Sequence, residues 1–118
     1  MLFPMQARSI RLLLRFCNYR RTDVESSLQN RLVDTIRASG RRAGLWLAPF
    51  LVGTGTTLAR EHPEWLVGPA GRNWGQDLVG LDLTHPGVQE LLRDDLGRLV
   101  ALGVDYLKLD FLYGGAVP

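Results

Sequence analysis

Val104-Asp105-Tyr106-Leu107-Lys108-Leu109-Asp110-Phe111-Leu112-Tyr113 is a short apolar run with charges on alternate positions, closed by Gly114-Gly115. Its length and its flanking glycines give it the signature of a strand buried in an α/β protein. Immediately upstream, Val88, Leu91, Leu92, Leu96, Leu99 and Val100 recur at helical spacing and predict one buried stripe of a helix ending near Gly103. Thr84 suits the N-cap of that helix and Pro86 its first turn. A second apolar strand, Leu78-Val79-Gly80-Leu81-Asp82-Leu83, precedes it. Strand, helix of this length and strand make the pattern of a parallel βαβ unit covered on both faces.

Further upstream, Leu28, Leu32, Val33 and Ile36 share one helical face across residues 26–39, and Gly40 supplies the stop. The continuous run Ala43-Gly44-Leu45-Trp46-Leu47-Ala48-Pro49-Phe50-Leu51-Val52 predicts a further strand, with Pro49 near its end, where a missing donor is tolerable. Residues 54–77 read as irregular, with a short helix near 57–61 and a loop through Gly68-Pro69-Ala70-Gly71-Arg72-Asn73-Trp74-Gly75. The expected arrangement is α/β, with residues 43–51, 78–83 and 104–112 as neighbouring parallel strands and the 86–102 helix on one face.

The chain has 118 residues, room for one ordinary domain and too few for a closed eight-stranded barrel, which needs about 250. Hydrophobic residues make up 46% and charged residues 22%, a globular balance that excludes disordered and fibrous classes. The net charge of +2 hides an asymmetry: five of the 14 basic residues (Arg8, Arg11, Arg15, Arg20, Arg21) precede the first acid, leaving nine against 12 acids downstream. Residues 1–24 therefore form an atypical Arg-rich segment, with helical spacing at Arg8, Arg11 and Arg15 that also fits one form of transit peptide. Beyond it the basic residues are scattered among acids without an aromatic platform, which argues against nucleic acid as a partner. No apolar run has the roughly 18–20 residues of a membrane span. The single Cys17 excludes an internal disulfide and multi-cysteine zinc sites, and it fits a cytoplasmic location.

Chemistry concentrates in the last strand. Tyr106, Lys108 and Asp110 alternate with Leu107, Leu109 and Phe111, so the charged pair is expected on the face opposite the helix, inside a parallel α/β fold. A buried charge must be paired or functional. Lys108 and Asp110 lie ~7 Å apart along one pleat face, close enough for the ammonium to hold the carboxylate ionised. Two readings fit this spacing: a structural ion pair at a strand end, and a nucleophilic carboxylate at the C-terminal end of a parallel strand. Other motifs give less. Gly53-Thr54-Gly55 lacks the third glycine of a dinucleotide loop, Leu58 standing in its place. His62 and His85 have no ligand-spaced partner, so no metal site is expected. Cys17 has no nucleophile context, and Asp94 and Asp95 fall opposite the leucine stripe of their helix.

The four segments Gly44-Leu45-Trp46-Leu47-Ala48-Pro49-Phe50, Trp74-Gly75-Gln76-Asp77, Gly80-Leu81-Asp82-Leu83-Thr84-His85-Pro86 and Asp105-Tyr106-Leu107-Lys108-Leu109-Asp110-Phe111-Leu112-Tyr113 resemble, in this order, the catalytic barrel of melibiase-type α-galactosidases, glycoside hydrolase family 36. The resemblance spans roughly residues 28–115. It implies a partial (β/α)8 barrel of about three parallel strands with intervening helices over residues 25–118, acting on α-galactosides by a retaining mechanism without a cofactor. Carried over by position, it makes Asp110 the nucleophile, Lys108 a contact to sugar hydroxyls, and Trp46 a wall of the sugar subsite or, alternatively, core packing. Asp82 also matches a family position, though a strand-end aspartate before a helix has a structural use.

Two departures accompany the match. The family carries an acidic pair on a strand upstream of the Gly-Leu-Trp segment, where this chain has its Arg-rich start; a misread or truncated beginning is the expectation for residues 1–24. The family's acid/base carboxyl comes from a later strand, so the chain is expected to be inactive alone. Its unpaired strand edges are expected to make it associate or fold only in part. A non-catalytic α/β remnant or binding module is the alternative, and the oligomeric state stays open.

Overall fold

The computed structural model describes residues 23–73 and 75–118, with side chains from Arg31 onward; residues 1–22 of the Arg-rich segment, with the helix expected there, lie outside the described residues. Helix α1 (Asp23–Ala38) buries Val33 and half-buries Leu32 and Ile36, as the apolar spacing requires. Gly40 closes it at φ 77° with its N–H donated to the Arg37 carbonyl at 2.9 Å, a left-handed stop that glycine adopts at no steric cost. Arg37 then reaches across to the Gly103 carbonyl, 3.0 Å away, and ties the end of α1 to the turn before the last strand.

Strand β1 (Gly44–Leu47) pairs in parallel with β5 (Tyr106–Leu109), in the register Gly44 to Tyr106, Leu45 to Leu107, Trp46 to Lys108 and Leu47 to Leu109. Between them lie β2 (Leu51–Gly53), the short helix α2 (Thr57–Glu61), a 3-10 turn (Pro63–Trp65), β3 (Leu66–Asn73), β4 (Gln76–Leu81) and helix α3 (Pro86–Ala101). A second 3-10 turn, Leu112–Ala116, follows β5.

The fold is α/β, but the strands are both parallel and antiparallel. β2, β4 and β3 form a separate three-stranded sheet in that order, antiparallel throughout. This corrects the expectation of three parallel neighbours. Among the described residues only β1 and β5 pair in parallel, and the apolar segment ending at Leu81 belongs to the other sheet. The reason lies in residues 66–73, whose glycines and proline carry loop chemistry. They form strand β3 nonetheless, with register shifts on either side of Pro69. Proline is tolerated because β3 is an edge strand. Asn73 pairs with Gln76 across a two-residue connection, with Gly75 at φ 75°. A link that short can only join antiparallel strands.

The long apolar run of residues 43–52 is likewise two strands, broken by a turn at Pro49 and Phe50. Proline's fixed φ and missing N–H end the pairing of β1 and redirect the chain into β2.

Strand β4 sits at the centre of its sheet and is buried from Leu78 to Leu81. Its side chains alternate as a pleat demands. Val79 and Leu81 join Val52, Ala59 and Val88 in one core cluster, where Trp65 and Leu92 also pack. On the other face Leu78 joins Leu51 and Ala70, with Phe111 and Val117 against them. Helix α3 buries Val88 and Leu99 and half-buries Leu91, Leu92 and Leu96. Val100, assigned to the stripe from spacing, is 69% exposed: one residue beyond Leu99 it stands about 100° round the helix, outside the contact. The N-cap is His85, whose Nδ1 accepts from the Gly87 amide at 3.0 Å, and not Thr84. The Thr84 hydroxyl is used instead by Asp82, 2.6 Å away.

Gly80 and Gly97 separate the two effects a glycine can have. A Cβ at Gly80 would meet the Gly114 carbonyl at 2.7 Å and the Val117 side chain, whereas one at Gly97, exposed on α3, would meet nothing within 4 Å. Gly80→Ala is therefore expected to destabilise by about 1–3 kcal/mol through overpacking. Gly97→Ala is expected to stabilise by about 0.5–1 kcal/mol through helix propensity. Urea unfolding in dilute solution, followed by tryptophan fluorescence, measures both.

Candidate functional site

The parallel pair is pinned at both ends. At its start the Ala43 amide donates to Asp105 Oδ2 at 2.8 Å, while the Asp105 and Tyr106 amides donate back to the Ala43 carbonyl at 2.8 and 3.3 Å. These three bonds hold the two strands together at the start of the ladder. At its C-terminal end the Asp110 amide donates to the Leu47 carbonyl at 2.9 Å. With the backbone so held, the Asp110 side chain faces the indole of Trp46, two residues along from Lys108, the ladder partner of Trp46.

Trp46 Nε1 donates to Asp110 Oδ2 at 2.8 Å, and the Phe111 amide donates to Asp110 Oδ1 at 2.8 Å. Each carboxylate oxygen thus has its own donor, and Asp110 is half-buried. The Asp110 carboxyl is held below the ordinary aspartate value, chiefly by the Trp46 hydrogen bond and then by the Phe111 amide; partial burial opposes them, and the Lys108 charge adds a smaller pull. The group is a carboxylate at neutral pH, rigidly oriented and only weakly basic.

Trp46 and Asp110 are therefore in direct contact, and the intimate Lys108–Asp110 pair does not form. Lys108 is exposed, and the oxygens it was expected to engage accept from Trp46 and Phe111. The interior placement of the charged pair is corrected for the same reason: the described residues leave β5 open, with Tyr106 45% and Leu109 43% exposed. Lys108 has no burial cost to offset, and its ammonium acts on Asp110 through the field alone.

Asp82, Glu64 and both histidines have local structural roles. Asp82, at the end of β4, accepts at Oδ1 from the Thr84 hydroxyl (2.6 Å) and amide (2.9 Å), which lower its pKa in that order and form the turn into α3. His62 stacks on Trp65 at 3.8 Å with the rings 9° from parallel, and its Nδ1 lies 3.1 Å from Glu64. The Glu64 carboxyl is lowered first by its own backbone amide and then by His62. Among the described residues no group of three His, Cys, Asp or Glu side chains could hold a metal ion, and no helix is long and apolar enough to cross a membrane.

Sequence reading missed Asp105 and Phe111. Asp105 carried a usable signal, a polar acceptor one residue before a strand. Phe111 carried none: it stands in the left-handed region at φ 52°, a conformation aromatic side chains rarely adopt.

Comparison with known proteins follows the same residues. The Melibiase family matches residues 18–113. Alpha-galactosidase C of Emericella nidulans is 32% identical over 90 residues, covering 74% of this chain and 12% of the relative. Alpha-galactosidase 1 of Pediococcus pentosaceus is 28% identical and covers 75% of this chain and 13% of its own length. Among solved structures, the α-galactosidase of Thermus thermophilus in complex with p-nitrophenyl α-D-galactopyranoside superposes with a TM-score of 0.72 at 42% identity, over 76% of this chain and 20% of that one. The chain thus spans about an eighth of the length of these curated relatives.

The Trp46–Asp110 bond has a pH signature. A carboxyl whose folded pKa is depressed contributes stability that is present above the ordinary carboxylate range and lost as pH falls through its folded value. Between about pH 7 and about pH 2.5 the urea midpoint should therefore fall, and it should fall less in Trp46→Phe, whose Asp110 titrates closer to its unfolded value. Equal falls in the two proteins would show that the indole does not hold the carboxylate.

Proposed function

The chain belongs to the melibiase family, and from that premise we propose that it forms part of the catalytic barrel of a retaining α-galactosidase, with Asp110 as its nucleophile. The observation that carries the reading is the placement of an oriented, ionised carboxylate at the C-terminal end of a parallel strand pair. Catalytic groups of (β/α)8 barrels stand at that end. On this reading β1 and β5 are barrel strands and α3 a barrel helix. Residues 48–85, with the antiparallel sheet, are the long connection that follows β1, of the kind that builds the active-site face.

The geometry suits both halves of a double displacement. In the first, a carboxylate oxygen of Asp110 attacks the anomeric carbon while the glycosidic bond breaks, and an acid protonates the departing oxygen. The two fixed donors hold the carboxylate in one orientation, which removes the entropy of searching for the line of attack. In the second, water attacks the anomeric carbon, giving its proton to the conjugate base of that acid, and the C–O bond to Asp110 breaks; the Trp46 and Phe111 N–H groups favour release of Asp110 as an anion. On this reading the exposed Lys108 contributes hydrogen bonds to sugar hydroxyls. Trp46 keeps its ring beside the carboxylate while its N–H is committed to Asp110. The substrate class follows from the Thermus thermophilus enzyme, whose structures hold p-nitrophenyl α-D-galactopyranoside and stachyose. The reaction calls for two carboxyl groups and no cofactor.

A retaining glycosidase needs its second carboxyl ~5–5.5 Å from the nucleophile. Asp105 and Asp82, the other acids at strand ends, have partners of their own in Ala43 and Thr84. The 118 residues alone are accordingly expected to hydrolyse an aryl α-galactoside essentially not at all, because general acid catalysis contributes about 10²–10⁴ in rate. A chimera carrying residues 23–118 in place of the matching segment of the Thermus thermophilus enzyme should cleave p-nitrophenyl α-D-galactopyranoside. Asp110→Asn in that chimera should lower kcat about 10⁴-fold or more. A chimera that keeps its rate with asparagine at 110 returns Asp110 to a structural role.

A further inference from the structure

Phe111 is the one residue other than glycine with a positive φ among the described residues, at 52°. Glycine, asparagine or aspartate would be the ordinary occupants of such a position, and a bulky aromatic there is an outlier that the surrounding structure must enforce. Left-handed residues of this kind concentrate where geometry serves a site. Phe111 follows Asp110 directly, at the point where the chain leaves β5 and turns into the Leu112–Ala116 turn.

Several contacts surround this conformation. The Phe111 amide donates to Asp110 Oδ1 at 2.8 Å. Its ring meets the Trp46 ring edge to face, with centroids 6.0 Å apart and planes at 88°. On its other side it meets Tyr113, at 6.1 Å and 70°, whose hydroxyl donates to the Ala70 carbonyl of β3 at 2.8 Å. Phe111 also packs against the Leu51, Ala70 and Leu78 cluster of the antiparallel sheet. One residue thus donates to one oxygen of Asp110 from its backbone and braces, with its ring, the indole that donates to the other.

We propose that Phe111 is a positioning residue for Asp110 through its backbone: the left-handed conformation, held by the contacts of its ring with Trp46 and Tyr113, aims the Phe111 amide at Oδ1. Its catalytic meaning rests on the reading of Asp110 as nucleophile, but the geometry can be tested without turnover. The ring is anchored on the antiparallel sheet through Tyr113 and the Leu78 cluster, so that sheet, lying outside the parallel pair, sets the angle of the carboxylate.

Backbone and packing roles predict opposite orders for two substitutions. Asparagine tolerates the left-handed region but is a poor core residue; valine is apolar but β-branched and resists that region. The full chain is labelled with fluorotryptophan in dilute solution, and the Trp46 resonance, assigned by its loss in Trp46→Phe, reports the titration of Asp110 by fluorine NMR. Phe111→Val should move the Asp110 midpoint up toward the ordinary carboxylate range further than Phe111→Asn does. Equal midpoints in the two variants, or the reverse order, would overturn the proposal. Should Phe111→Val fail to fold, the pair Phe111→Gly and Phe111→Ala, which differ only by the Cβ that penalises positive φ, supplies the same test: Gly is expected to keep the lower midpoint, and equality overturns. A normal Phe111 result with an active Asp110→Asn chimera would reject the nucleophile and keep the positioning; the converse would reject only the positioning.

Discussion

The parallel pairing of β1 with β5 is the constraint on which the site depends. Two short strands, four residues each, are far apart in sequence, and little in their own ladder would fix their register. The Asp105 carboxylate does so, by taking the Ala43 amide while the Ala43 carbonyl takes two amides from the other strand. Once Gly44 lies opposite Tyr106, Trp46 must lie opposite Lys108 and its indole reaches Asp110. A one-residue slip would turn Trp46 to the other face and leave the carboxylate without its indole donor. The closeness of the start is also why position 44 is glycine: a Cβ there would strike the Tyr106 ring.

The antiparallel sheet answers a different need. Its strands form a body against which the segment after β5 packs, through Phe111, Tyr113 and Val117. β4, buried along Leu78–Leu81, packs one face toward α2 and α3 and the other toward the segment after β5. Gly114 and Gly80 let that segment approach closely, since side chains at either would meet backbone oxygens or Leu51. The chain beyond Asp110 is thereby held against β2, β3 and β4, and Phe111 is forced into a conformation that its side chain alone would not choose.

Much of this was legible in the sequence, for identifiable reasons. Helices α1 and α3 announced themselves through apolar spacing and through Gly40, Pro86 and Gly103, and both run within a few residues of expectation. The pleat of residues 106–110 placed Asp110 at a strand end on the same side as Lys108, and the resemblance put Trp46 beside it. What was not legible was strand β3, because pairing with β4 overrides the loop propensity of Gly68, Pro69 and Gly71 through register shifts that no local pattern announces. Missing β3 made β4 look like a parallel strand. The Lys108–Asp110 pair was misjudged because spacing gives distance along a strand but not which donors arrive from outside; a tryptophan N–H and a backbone amide reached the carboxylate first. Phe111 was invisible because its conformation contradicts its residue type.

A chemistry of two displacements leaves a mark that neither stability nor titration can give. Treating the active chimera with an activated fluorinated galactoside, which forms the glycosyl-enzyme quickly and releases it slowly, should trap the intermediate. Peptide mass spectrometry should then find one added sugar on the peptide containing Tyr106-Leu107-Lys108-Leu109-Asp110, with fragmentation placing it on the Asp110 carboxyl. A sugar on any other carboxylate, or full inactivation with none on this peptide, would contradict the account.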